Sequence, residues 1–214
     1  MNPRAPSIRD GYRTIAQAYA EHLIDELSGK PLDRALLDAF AEGVRGRGPV
    51  VDVGCGPGQV AAYLHQRDVT IEGLDLSPAM IEQATAHHPA IPFRVGDMFA
   101  LPYADESLAG VIGFYAIVHT PTDELHAPCR ELHRVVTPGG LIALAFHAGT
   151  QHTHVDELWG VPTSLEFWFH PPAAVVATLE QVGFTIEARL DRKPYPDVEY
   201  PSERTYLLAR RRAP

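Results

Sequence analysis

The chain has 214 residues, 27 acidic against 18 basic side chains, and a formal net charge of −9. That length suits one domain with an ample core, and the acidic excess argues against a nucleic-acid partner, which needs a basic face. Hydrophobic residues make up 45% and charged residues 21%, an ordinary globular balance, and no apolar run approaches the roughly 18 residues of a bilayer span. The opening Met1-Asn2-Pro3-Arg4-Ala5-Pro6 lacks the hydrophobic core of a secretory signal. The two cysteines, Cys55 and Cys129, fit a reducing cytoplasm better than a disulfide framework.

Residues 1–7 read as disordered. From Ile8 onward, Tyr12, Ile15, Tyr19, Leu23 and Leu27 fall at steps of three and four, one face of a helix. Gly29 should end it, and Pro31 can open a second helix reaching about Glu42. After a loop over 43–49, Val50-Val51-Asp52-Val53 has the β-branched composition of a strand covered on both faces. Asp52 interrupts that apolar run, and a buried acid needs a partner. Gly54, Gly56 and Gly58 then alternate through Cys55 and Pro57, and a helix follows from Gln59. Strand, tight glycine turn and helix open a βαβ unit with a ligand at the turn. A second strand over 69–75 ends in Asp75, 17 residues after Gly58. A carboxylate at the carboxyl end of a strand can accept from both hydroxyls of a ribose. Ser77-Pro78 supplies cap and first turn of a helix to about His88. Leu76 and Met80 either flank an adenine or are plain core. A third strand and turn occupy 91–98, where Asp97 is a turn residue or a ligand.

The fourth strand covers 108–115, and Phe114 and Tyr115 at its carboxyl end should line the crevice where ligands bind in such sheets. His119 is either a polar cap beside Thr120-Pro121 or a proton acceptor. Residues 122–136 should be helical, with a break near Ala127 or a start at Pro128, because proline cannot sit in an undisturbed helix interior. The fifth strand, 141–146, follows the Pro138-Gly139-Gly140 turn. Residues 149–169 are the least generic, and they lie over the carboxyl edge. Around them stand His147, His152, His154, Asp156, Glu157, Trp159, Trp168 and His170. His152 and His154 have no second fixed pair, so a substrate loop is expected in place of a metal site. Trp159 and Trp168 suggest an apolar wall for the substrate, with His147 nearby. A helix from Pro171-Pro172 to Gly183 and strands over 184–190 and 204–209 close the chain.

The stretch from Val50 to Gly58 resembles motif I of the class I S-adenosylmethionine-dependent methyltransferases, in their small-molecule group of types 11 and 25. Gly96-Asp97-Met98 resembles the family's motif II, and Leu101-Pro102-Tyr103-Ala104-Asp105-Glu106-Ser107 its following loop. Arg130 to Gly140 is similar to its helix and Pro-Gly-Gly turn. Tyr12 to Tyr19 is similar to its opening Tyr-Asp-x-x-Ala-x-x-Tyr phrase. Arg13 and Ala109 depart from it where the family usually carries acids. The resemblance implies one Rossmann-like α/β domain over 1–214. Its seven-stranded, mostly parallel sheet would have the order 3-2-1-4-5-7-6, the last strand antiparallel and helices on both faces. A helical lid over 1–46 and a substrate-loop insertion over 148–170 are expected. It implies S-adenosylmethionine as cofactor, its methionine part held by Asp52, Gly54, Cys55, Gly56 and Gly58. Asp75 would hold the ribose, with Leu76, Ser77 and Met80 beside it, and Asp97 and Met98 the adenine. Tyr12, Tyr19, Phe114 and Tyr115 would border the cofactor, and Tyr115, His119, His147, Trp159 and Trp168 the acceptor, with His119 as base. No metal is expected. The partner would be a small-molecule acceptor, and the protein a monomer or homodimer. A nicotinamide-dependent oxidoreductase lacks its G-x-G-x-x-G spacing here. A nucleic-acid methyltransferase would place Asn-Pro-Pro-Tyr where Gly113-Phe114-Tyr115-Ala116 stands. A cofactor-binding regulator of the same fold, without turnover, is the non-enzymatic alternative.

Overall fold

The computed structural model describes residues 2–196 and 198–213. Its strands, in chain order, are β1 (Val50–Val53), β2 (Ile71–Asp75), β3 (Phe93–Val95), β4 (Leu108–Phe114), β5 (Val136–His147), β6 (His152–Leu158), β7 (Val161–Trp168), β8 (Phe184–Arg192) and β9 (Arg204–Arg211). Seven of them make one sheet in the order β3-β2-β1-β4-β5-β9-β8. β9 runs antiparallel to both its neighbours, and the other pairings are parallel. With β6 and β7 set aside in their own two-stranded sheet, the order is the expected 3-2-1-4-5-7-6.

The period-two alternation of β1 sends its side chains to two cores. Val51 and Val53 join Leu132, Val135, Val175 and Leu179 under α5 (His126–Val135) and α6 (Pro172–Val182). Val50 joins Leu37, Phe40, Val60 and Leu64 under α2 (Pro31–Val44) and α3 (Gln59–His65). α4 (Pro78–His87) packs beside β2 and β3, and α1 (Ala5–Leu23) lies across α4 and β7. Among the described residues, no helix is long and apolar enough to cross a membrane.

Several expectations need correction. Residues 2–7 are ordered; Met1 lies outside the described residues. α1 starts at Ala5 because Pro6 suits a first turn, where a backbone N–H has no helical acceptor. The same helix stops at Leu23, and Leu27 sits in a separate 3₁₀ turn, Glu26–Gly29. The expected break near Ala127 falls at Leu125, between a 3₁₀ turn over Thr122–Glu124 and α5, which begins at His126 and so holds Pro128 in its first turn. β5 starts at Val136 and not after the Pro-Gly-Gly turn, which is a bulge within it. The register jumps there from Leu108↔Val136 to Gly110↔Leu141. The largest difference concerns the region expected as a loop. It is a β-hairpin, with Thr153 paired to Phe167 and Val155 to Leu165. Trp159 and Gly160 turn the hairpin at φ of 49° and 77°. Two successive positive φ values match the right-handed twist of the flanking strands, but tryptophan is a rare residue to supply the first.

Candidate functional site

The cavity lies at the carboxyl edge, where the chain crosses from β1 to both neighbours. It is lined on the sheet side by Gly54, Gly56, Asp75, Asp97, Phe114 and Tyr115, and on the other by Tyr12, Tyr19 and His119. Leu76, Met80 and Met98 also border it, as do Asn2, Ile8, Ala116 and Thr120, which the sequence did not single out. A larger cavity between α5, α6 and the end of β9 lies by the opposite edge, where Arg134 pairs with Asp105 and Arg211 with Glu106.

Gly54, Gly56 and Gly58 have φ of 66°, 52° and 88°, all in the left-handed region. A side chain there is strained, which explains glycine at every second position. At Gly56 the space is open as well: an added Cβ would meet only Tyr19, at 3.7 Å. Asp75 holds this turn in place. Its Oδ2 accepts from the Gly56 N–H at 2.9 Å and its Oδ1 from the Ser77 N–H at 2.8 Å. Burial still raises the Asp75 carboxyl above its usual range, against those bonds. The Asp52 carboxyl is raised further, first by burial and then by the charge of Asp75. Asp52 is 1% exposed, its Oδ2 has no partner, and it lies beneath the turn without lining the cavity. Cys55, Gly58 and Ser77 also lie just outside the lining, and Ser77 Oγ is buried without a partner. Asp97 accepts from the Phe99 N–H at 3.0 Å, and weakly from the Asn2 N–H at 3.4 Å.

Across the cavity, Tyr12 and Tyr19 come one helical face apart from α1 and meet edge to face, centroids 5.6 Å apart. His119 is buried between the elements. Its Nδ1 is 2.6 Å from the Glu166 carbonyl, which only accepts, so Nδ1 carries the proton. Nε2 therefore accepts from the Tyr12 hydroxyl at 2.7 Å. Burial pushes this imidazole down to about 4, so it is neutral at working pH. The Glu166 carbonyl belongs to β7, and nothing in the sequence marks a backbone group for this task. α1 and β7 are joined directly: Thr163 Oγ1 donates to the Gly11 carbonyl at 2.9 Å, and a Cβ on Gly11 would stand 2.5 Å from Leu165 Cδ2.

The other substrate candidates are not brought to the cavity wall. His147 stacks on Phe169 and bonds Ser202 Oγ at 2.7 Å, and burial pushes it down to about 3. Trp168 stacks on His152 with centroids 4.4 Å apart. Trp159, at the hairpin tip and 42% exposed, stacks on His22 and edges onto Tyr19. Among the described residues no group of three or more histidine, cysteine or acidic side chains is arranged to hold a metal.

A glycine cradle with open space above it, an acid at the next strand end and a second acid after β3 define a nucleoside-binding α/β protein of the methyltransferase type. A family model described as a methyltransferase domain matches residues 50–140. A malonyl-(acyl-carrier protein) O-methyltransferase of Dechloromonas aromatica is 31% identical over 97% of this chain and 76% of its own length. Another of that name, from Pseudescherichia vulneris, is 29% identical over 74% of this chain, and the match spans 60% of its length. Magnesium protoporphyrin IX methyltransferase from Synechocystis, solved with bound S-adenosylmethionine, superposes with a TM-score of 0.75 at 19% identity, covering 99% of this chain and 98% of that one. The chain belongs to the class I S-adenosylmethionine-dependent methyltransferases. The residues present fit that cofactor: open space over Gly56 and an ordered carboxylate at Asp75, both in the cavity lining.

Proposed function

We propose that the protein moves a methyl group from S-adenosylmethionine to a small-molecule acceptor, with Tyr12 and His119 as the proton path. The observation that carries this reading is the Tyr12–His119 pair, set across the cavity from the glycine turn. The cofactor supplies an electrophilic methyl on a sulfonium that is already a good leaving group. The chain's own residues position, deprotonate and exclude water. The glycine turn, Asp75 and Asp97 hold the donor in place, and alignment of two reactants is worth about 7–11 kcal/mol of barrier. Tyr12 Oη, whose proton goes to His119 Nε2, accepts the acceptor's proton as the new bond forms. The Nδ1 proton on the Glu166 carbonyl keeps the imidazole in the tautomer this requires. α1 and the β6–β7 hairpin, joined at Gly11, act as the cover that keeps water out.

The cavity lining contains Asp75 and Asp97 but no lysine or arginine. That favours an acceptor with a neutral hydroxyl or amine over one that presents a free carboxylate. Two buried, unpaired cysteines support a reducing, cytoplasmic setting.

The test is a panel of hydroxyl, amine and carboxylate acceptors read by S-adenosylhomocysteine release. On the best acceptor, His119→Ala should lower kcat by about 10²–10⁴ and leave binding of S-adenosylhomocysteine unchanged. Near-normal turnover of His119→Ala would remove the proton path. Cofactor binding without release over the whole panel would favour the regulator instead.

A further inference from the structure

Just outside the cavity lining, between the residue after Gly58 and the ring of Tyr115, a polar group of side chains has no part in the reading so far. Tyr19 stands over Gly56, and its hydroxyl pKa is raised, first by burial and then by the negative charges of Glu26 and Asp75. Glu26 stands in the 3₁₀ turn after α1. One of its oxygens accepts from Gln59 Nε2 at 2.8 Å, and the other pairs with Lys30 Nζ. Lys30 is 5% exposed, a rare burial for a lysine. Its Nζ lies 3.3 Å from Glu199 and 6.0 Å from the centroid of Tyr115, which lines the cavity. Glu199 is in turn held by Arg192 and Arg204, so it is not free to take a ligand. Gln59 follows Gly58 directly, and its Oε1 is buried without any donor. A buried amide oxygen left unpaired is costly, so it marks a place for an N–H group.

We propose that Glu26, Gln59 and Lys30 form the slot for the zwitterionic amino-acid head of the cofactor. The inference rests on the reading of this cavity as the S-adenosylmethionine site. Glu26 and Gln59 Oε1 take the α-ammonium, and Lys30 takes the α-carboxylate. The resident Glu26–Lys30 pair is exchanged for two new pairs of the same sign. No charge is left buried alone, which is the condition under which such an exchange is favourable. Glu199 keeps Lys30 in place throughout.

Titration calorimetry with two probes tests this. S-adenosylhomocysteine carries the amino-acid head; 5′-methylthioadenosine has the same nucleoside and sulfur without it. The natural chain should bind the first at least about 100-fold tighter, as two charge-assisted sets of hydrogen bonds imply. Lys30→Met and Glu26→Gln should each weaken S-adenosylhomocysteine by about 10–100-fold and leave methylthioadenosine within about twofold. An unchanged ratio of the two affinities in both variants overturns the slot. If the natural chain binds neither probe, the reading of the whole cavity falls. If a variant loses both probes together, its fold has failed and Gln59→Leu decides, being outside the ion network around Glu199. About tenfold weaker S-adenosylhomocysteine alone supports the slot, and an unchanged ratio overturns it.

Discussion

The two walls of the cavity are built from different materials. The sheet wall is shaped by backbone: left-handed Gly54 and Gly56 line it, with Gly58 and Ser77 behind, and the N–H groups of Gly56 and Ser77 are fastened to one carboxylate, Asp75. The facing wall is side chains: Tyr12 and Tyr19 from α1, and the His119 imidazole from the segment after β4. A backbone wall suits a constant ligand, because it offers the same donors whatever surrounds it. A side-chain wall suits whatever differs from one relative to another. The walls also respond oppositely to acid. Burial raises Asp52 and Asp75, so the folded sheet wall holds protons better than the unfolded chain does. Burial depresses His119, so the facing wall refuses a proton that the unfolded chain accepts, and His147, outside the cavity, behaves alike.

The sharpest break in this comparison is Asp75→Ala. It removes the acceptor for two backbone N–H groups along with the proposed ribose contact, and binding of S-adenosylhomocysteine should weaken by about 100-fold or more. Calorimetry with affinity retained would show that the turn stands without its fastening. The acid response comes next. His119 falls to about 4 from 6.5, so its contribution is intact above about 6.5 and is lost as pH falls toward 4. The loss reaches about 3 kcal/mol, and His147 adds to the same slope. Urea unfolding at several pH values should show it, and His119→Asn should flatten the curve; an unaltered curve would mean the ring is not buried neutral. Gly11→Ala is smaller. Its Cβ has no room against Leu165 and the Ser164 carbonyl, so overpacking of about 1–3 kcal/mol is expected. Acceptor KM should rise more than cofactor Kd; equal changes would tie the cover to both ligands alike. Trp159→Ala should be smallest, within about 1 kcal/mol, since an exposed aromatic edge is all that it removes.

The same division decided what could be read from the sequence. The sheet wall was legible because its requirements are local: alternating glycines mark a run of positive φ, and an acid at the end of a β-branched run marks a strand end. The sheet order followed from resemblance to the methyltransferases and agrees with the pairing observed. The hairpin was not legible. Its turn is Trp159-Gly160 where Asn-Gly or Asp-Gly would be the signal, and histidines on its exposed face obscured the alternation of Thr153 and Val155. The tie from the Glu166 carbonyl to His119 leaves no trace in residue type, since any residue has that carbonyl. Lys30 and Glu26 belong to no motif that marks them in the sequence. Only the tertiary fold, which brings Glu199 against Lys30, buries that lysine. The ordered start of α1 was missed because proline and polar composition suggested disorder where Asn2 in fact reaches Asp97.

The imidazole of His119 has one nitrogen satisfied from α1 and the other from β7, two segments separated by most of the chain. It therefore works as a coincidence detector. If either segment is displaced, one nitrogen loses its partner and the ring loses its defined proton. On the proposed proton path, competence for chemistry is thus tied to enclosure, and a half-shut enzyme would be an idle one.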